Sequence, residues 1–272
     1  MSTVTRLPGT SAIGWQRFRI ELKEFFRGRE SVIFTFSFPM LLLLVFGSVF
    51  SGVLDPKTGV TFAQYFLAGM IASGLVYSGF QQLAFAIPME RDDGTLKRLR
   101  GTPMPAAAYF LGKFGVVLVG YVGQVVLLLV IGVLLFDVTL PATAFQWFTL
   151  LWVSALGLVV CVSLGIAMSG AIRSGRTAGA VVTPIVLVLQ FTSGVFFQFS
   201  QLPHWMQVAS SFFPLKWLCQ GMRSVFLPPS FAAQEPAGSW ELPRVALVLV
   251  VWAAVGVVLA LRGFRWQHRE EI

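Results

Sequence analysis

Six runs of continuous apolar residues divide this chain, at about 32–53, 63–87, 109–136, 144–170, 178–199 and 243–261. Each approaches or exceeds the roughly 20 residues a helix needs to cross about 30 Å of hydrocarbon. A closed barrel would show alternation over segments of about ten residues, and these runs do not alternate. Pro39 in the first run and Pro184 in the fifth predict kinks. Ahead of the first run, residues 11–31 change period: Trp15, Phe18, Leu22 and Phe25 recur on one face, and Arg19, Lys23 and Arg27 repeat every four residues on another. A basic amphipathic helix with aromatic anchors is expected to lie in the membrane interface. Residues 1–10 read as disordered and 263–272 as a charged tail. No cleaved leader is expected, because Glu21, Glu24 and Glu30 precede a run long enough to span.

The region 201–227 has a different pattern. Two apolar-rich segments of about a dozen residues each open with a proline, Pro203 and Pro214. They are too short to span and predict a re-entrant or interfacial helical pair. The fold expected is an all-α integral membrane protein. It has six transmembrane helices, an N-terminal interfacial amphipathic helix, a re-entrant pair before the last span, and both termini cytoplasmic.

Composition agrees: 56% of the 272 residues are hydrophobic and 12% charged, about half the charged share of soluble domains. The net charge of +8 sits in loops. Arg6, Arg17, Arg19, Lys23, Arg27, Arg29, Arg91, Lys97, Arg98, Arg100, Lys113, Arg173, Arg176, Arg262, Arg265 and Arg269 fall on one side of the six runs. Lys57, Lys216, Arg223 and Arg244 fall on the other. Sixteen against four places the termini and the segment 88–108 in the cytoplasm. The charge is therefore read as facing an anionic leaflet, not nucleic acid. Arginine outnumbers lysine and Ala, Val and Gly abound, a composition of high-GC bacteria, which points to a bacterial inner membrane.

Several chemistries are excluded. Cys161 and Cys219 have no metal or redox spacing and read as packing residues, and His204 and His268 are isolated. The spans hold almost no ionisable residue, which disfavours an ion-coupled transporter. No phosphate loop occurs, since Gly112-Lys113 is not followed by Ser or Thr. The chain thus offers no catalytic residue, metal set or nucleotide site, and any energy has to come from another chain. Gln81, Gln82, Gln124 and Gln190 are candidate conduit-lining residues, suited to an apolar or amphipathic cargo. Gly165/Ser169 and Gly256/Ala260 permit close helix packing.

The densest charge lies at Glu90–Pro103, ERDDGTLKRLRGTP. Gly94 breaks the incoming helix, Asp92 and Asp93 favour the start of a new one, and Pro103 and Pro105 end it. About two helical turns result, with Leu96 and Leu99 on one face. Such an element suits either the groove of a soluble partner or a lipid surface.

This stretch resembles the cytoplasmic signature of ABC-2 type transporter permeases, the membrane subunits of ATP-binding-cassette exporters, at Glu90, Gly94, Thr95, Leu96, Leu99 and Pro103. Bacterial drug-efflux permeases of the daunorubicin-resistance kind are the nearest likeness. The six runs, the N-terminal helix and the segment Phe213-Pro214-Leu215 through Trp217, Arg223 and Phe226 are also similar to that family. The resemblance implies two permease protomers, as a homo- or heterodimer, each carrying a separate ATPase subunit that binds ATP and Mg. By that likeness Leu96 and Leu99 are docking knobs, and Glu90, Arg91 and the basic residues set docking electrostatics. Gly94–Thr95 shape the turn, and Phe213, Pro214, Trp217 and Arg223 help close an outer gate. The cargo implied is hydrophobic or amphipathic: a drug, a lipid or a glycolipid. The short loop at 54–62 leaves out the large domain some members carry there. The alternative reading is a passive membrane scaffold that uses the charged loop as an epitope.

Overall fold

The computed structural model describes residues 9–264, so the disordered start and charged tail expected at 1–10 and 263–272 fall largely outside the described residues. Helix α1 is Thr10–Arg27, and α2 is Arg29–Val49. A hairpin of β1 (Val53–Asp55) and β2 (Val60–Thr61) leads into α3, Phe62–Leu75. A π-helical turn, Val76–Gln81, joins α3 to α4, Gln82–Asp92. Then come α5 (Thr95–Arg100), α6 (Ala106–Phe136), α7 (Ala144–Ala171) and α8 (Gly175–Thr192). The last three are α9 (His204–Ser211), α10 (Pro214–Phe226) and α11 (Leu242–Gly263).

Five described helical stretches are long and apolar enough to cross a membrane: Phe62–Asp92, Ala106–Phe136, Ala144–Ala171, Gly175–Thr192 and Leu242–Gly263. In α2 the apolar stretch is Thr35–Val49, a shorter one. The molecule is a multi-pass membrane protein whose described residues are all-α apart from one small hairpin.

Three boundaries differ from expectation. The first apolar run stops being helical at Val49, because Asp55 caps a turn: its carboxylate accepts from Lys57 N at 3.1 Å and Thr58 Oγ1 at 2.8 Å, and Gly59 comes next with φ 71°. The second run continues to Asp92, which puts Glu90 and Arg91 on a helix and not in a loop. The fifth run ends at Thr192, not 199, because Gly194 takes φ 81° and turns the chain inward. That turn is seated closely, as a Cβ on Gly69 would meet Val195 O at 3.0 Å.

The core is built around α3, which is buried on every side; a helix apolar all round belongs at the centre of a bundle. The Gly165/Ser169 spacing serves α7 against the π turn, where a Cβ on Gly165 would stand 2.8 Å from both Gly79 O and Phe80 O. Gly256 lies against Ser163 and Gly170 against Gly263, which fastens α11 to α7. Gly165→Ala has backbone to push against on one side, so it should cost about 1–3 kcal/mol as an over-packed contact. A thermal melt in detergent reads this loss, whereas Gly179→Ala, with open space around it, should melt as the parent does.

Candidate functional site

Helix α1 turns a stripe other than most of its aromatic face toward the bundle. Its inward stripe is Gly14, Arg17, Glu21 and Phe25, while Trp15 is 61% exposed, and Phe18 and Leu22 lie half-buried at the margin. The cause is close approach to α6. A Cβ on Gly112 would meet Arg17 Cγ at 2.7 Å, and one on Gly115 the Phe18 ring at 2.4 Å. Arg19, Lys23 and Arg27 are exposed, as the periodicity predicts.

The buried stripe carries charge into an ion cluster. Arg17 Nη2 lies 2.5 Å from Glu21 Oε1, and Lys113 Nζ lies 2.8 Å from Glu21 Oε2. Lys113 also pairs with Glu90, Tyr109 Oη donates to Glu90 Oε2 at 2.7 Å, and Arg17 approaches Glu90 at 3.9 Å. Two cations meet two carboxylates, so the cluster is neutral, as buried charge must be. Arg17 and Lys113 both face the Tyr109 ring, 5.7 and 5.5 Å from its centre. A cavity of about 160 Å³ opens beside them, walled partly by Glu24 and Gln82.

The next two residues of α4 reach the opposite way. Arg91 donates to Ser169 O at 3.1 Å and Ile172 O at 3.2 Å, satisfying carbonyls at the end of α7. Asp92 Oδ2 accepts from Gly175 N at 2.7 Å, at the start of α8, where a carboxylate is favoured by the helix dipole. Met89 closes the contact, since a Cβ on Gly175 would stand 2.7 Å from its Cγ. Glu90, Arg91 and Asp92 thus tie one helix end to α1, α6, α7 and α8.

Beyond this hub, Gly94 adopts φ 78°, a left-handed conformation favouring glycine, and α5 starts at Thr95. Thr95 N donates to Asp93 Oδ1 at 2.8 Å, and hydrogen bonding by Thr95 holds the Asp93 carboxyl below the usual carboxylate range. The expected two turns are present, but their two leucines do not project together. Leu96 is fully buried in the core and Leu99 is half-buried against it. A short helix must anchor its apolar side somewhere, and here it anchors on its own bundle. The outward face is Lys97, Arg98 and Arg100, with exposed Pro103 beyond them.

The opposite end holds a second cluster. Arg223 is 0% exposed, with Nε 2.7 Å from Glu235 Oε1 and Nη2 3.3 Å from Oε2. It also donates to Gly194 O at 3.3 Å and lies over the Tyr65 ring at 5.2 Å. Tyr65 Oη donates toward Gly194 O and Phe197 O and accepts from Phe199 N. Burial pushes the Lys216 amine down to about 8, and that amine lies 3.6 Å from the centre of the Trp217 ring. Pro214 and Trp217 are buried, whereas Phe213 is exposed.

The glutamines do not converge on one path. Gln124 and Gln190 are buried in helix contacts, with Gln190 Oε1 accepting from Tyr77 Oη at 3.0 Å. Gln82 borders the small polar cavity beside the ion cluster, and none of the four lines the cavity of about 670 Å³ between α7, α8 and α11. Arg17 and Glu21 were missed as site residues. Their i, i+4 spacing in register with Gly14 was the available cue.

The ABC-2 type transporter family model matches residues 15–227, from the exposed tryptophan of α1 to the end of the Arg223 helix. The chain belongs to the ABC-2 type transporter family. Among curated relatives, a Bacillus subtilis (strain 168) protein named as a candidate transport permease, YvfS, is 23% identical over 226 residues, 82% of each chain. Members of the ABC-2 family are membrane transport components, generally without an ATPase site of their own and associated with an ABC ATPase partner. This chain is a membrane transport permease. The matched span includes the whole hub and α5.

Proposed function

We propose that this chain is the membrane-spanning subunit of an ATP-driven exporter in a bacterial inner membrane, with six spans and both termini cytoplasmic. Two permease protomers and two separate ATPase subunits, which bind ATP and Mg, complete it. The observation that carries the reading is the hub, where three consecutive side chains tie the end of α4, next to α5, to four helices. When the ATPase shifts α5, Glu90 passes the movement to α1 and α6 through Lys113. Arg91 and Asp92 pass it to the α7–α8 connection. Leu96 is the internal anchor that makes α5 move with the bundle, and the outward basic face with Leu99 is the docking surface. The Arg223–Glu235 cluster holds the outer side shut between cycles. The cargo is hydrophobic or amphipathic, matching walls with few polar groups.

The test is co-purification with the cognate ATPase. Reversing charge at Lys97 and Arg98 puts like charge at the interface, so recovery of the ATPase should fall by roughly tenfold or more. Arg244→Glu, at the other end of the molecule, should leave recovery unchanged. Equal recovery from all three proteins would show that α5 is not the docking element.

A further inference from the structure

A cavity of about 670 Å³ lies between α7, α8, α11 and the start of α10. Its size falls within the roughly 300–1,000 Å³ of small-ligand sites. Leu164 and Met168 form one wall, Leu189 and Leu259 others, and Val76 and Phe80 of the π turn form the floor. Arg262 is the charged residue of this lining, and it stands at one end beside Gly263. It is exposed and has no carboxylate partner among the described residues.

That end adjoins the hub. Phe264 packs on Phe110 at 4.8 Å and on Tyr109 at 6.2 Å between ring centres. Arg173 and Arg176 follow within five residues of Ala171, another residue of the cavity wall. The cation therefore lies on the side where lysine and arginine concentrate, against the leaflet that carries anionic lipid. An apolar cleft with a cation at its rim complements an acyl chain joined to a phosphate. A second copy of the chain is poorly suited to fill it, because the sequence holds no carboxylate between Asp137 and Glu235 that α7, α8, α9 or α10 could bring to Arg262.

We propose that this cleft binds an anionic phospholipid of the cytoplasmic leaflet, its phosphate on Arg262 and its chain laid over Val76 and Phe80. The site does not depend on the protein being an exporter. Its floor is the turn that leads into Glu90–Asp92, so occupancy bears directly on the hub.

The experiment uses the full chain in nanodiscs containing phosphatidylglycerol or phosphatidylcholine with a photoreactive group in the acyl chain. Crosslinks should map to Leu164–Met168, Leu259 and the π turn, and phosphatidylglycerol should label them about fivefold more strongly, the worth of one basic residue at a membrane surface. Arg262→Gln should abolish that preference, and Ala167→Trp, which fills the cleft, should reduce labelling by either lipid. Arg19→Gln, on the exposed face of α1, should change neither. Equal labelling by both lipids, an unaltered preference in Arg262→Gln, or crosslinks confined to the outer faces of the helices or to a second copy would each overturn the proposal. Arg262 lies at an exposed helix end, so its variant tests the idea even if the tryptophan variant does not fold.

Discussion

Arg223→Met should lower stability by about 3–5 kcal/mol, because removing one partner of a buried pair strands the charge of the other. The pair is enclosed: Arg223 is fully buried and the Glu235 side chain is 4% exposed. Burial opposes the Arg223 charge, but Glu235 beside it more than compensates, and the guanidinium stays protonated. The substitution also removes the donor to Gly194 O, at the turn that ends α8. A loss of that size corresponds to a melting temperature lower by roughly 10 °C or more in detergent. The double variant Arg223→Met/Glu235→Leu should recover most of it, since apolar groups of similar volume often replace a buried pair at little cost. If the single variant melts like the parent, the pair is not holding the 194–199 turn, α10 and the 229–235 loop together.

The second large effect lies at the other end. Lys113→Met leaves Glu21 and Glu90 facing one another with Arg17 as the remaining cation in the cluster. A destabilisation of about 3–5 kcal/mol is expected from the uncompensated buried charge. Glu21→Gln in the same background should restore much of the stability by returning the cluster to neutrality. Function should separate the two variants. The stabilised double variant has lost the Lys113 link between Glu90 and Glu21, so cargo-stimulated ATPase activity of the assembled complex should stay near its basal rate. Full stimulation in that double variant would remove Glu90–Lys113–Glu21 from the transmission path. Lys113→Arg, which keeps the charge, separates a need for charge from a need for the lysine shape.

A physical divide separates the features legible in the chain from those that were not. Apolar runs, proline-led short helices and the Gly94 break are local, because hydrocarbon length and backbone sterics set them. Accordingly α6, α7, α10 and α11 lie within three residues of the expected bounds. The turn before α7 was also local: Thr143 and Gln146 cap each other there. The side on which a residue faces its neighbours is not local. Arg17 and Glu21 read as surface charge until α6 presents Gly112 and Gly115, whose missing side chains let α1 approach. Leu96 read as an outward knob because its burial depends on helices far away in sequence. The docking knobs rested on a shared helix face and a family likeness, and the glutamine lining on residue type; none of these specifies an address inside a bundle. The π turn had no sequence cue, as its composition is ordinary for a span.

That turn has a consequence for how the chain can vary. A π turn holds one residue more than the α-helix it interrupts, and each residue rotates the downstream helix by about 100°. Val76–Gln81 therefore works as a phase setting between the fixed axis of α3 and the three side chains at the end of α4. With an uninterrupted helix, Glu90 would point away from Lys113 and Asp92 away from Gly175, although every residue of the hub was still present. Inserting or deleting one residue in this stretch would turn the hub by about 100° even with every side chain kept. The hub is encoded as much by an interval as by the letters E, R and D.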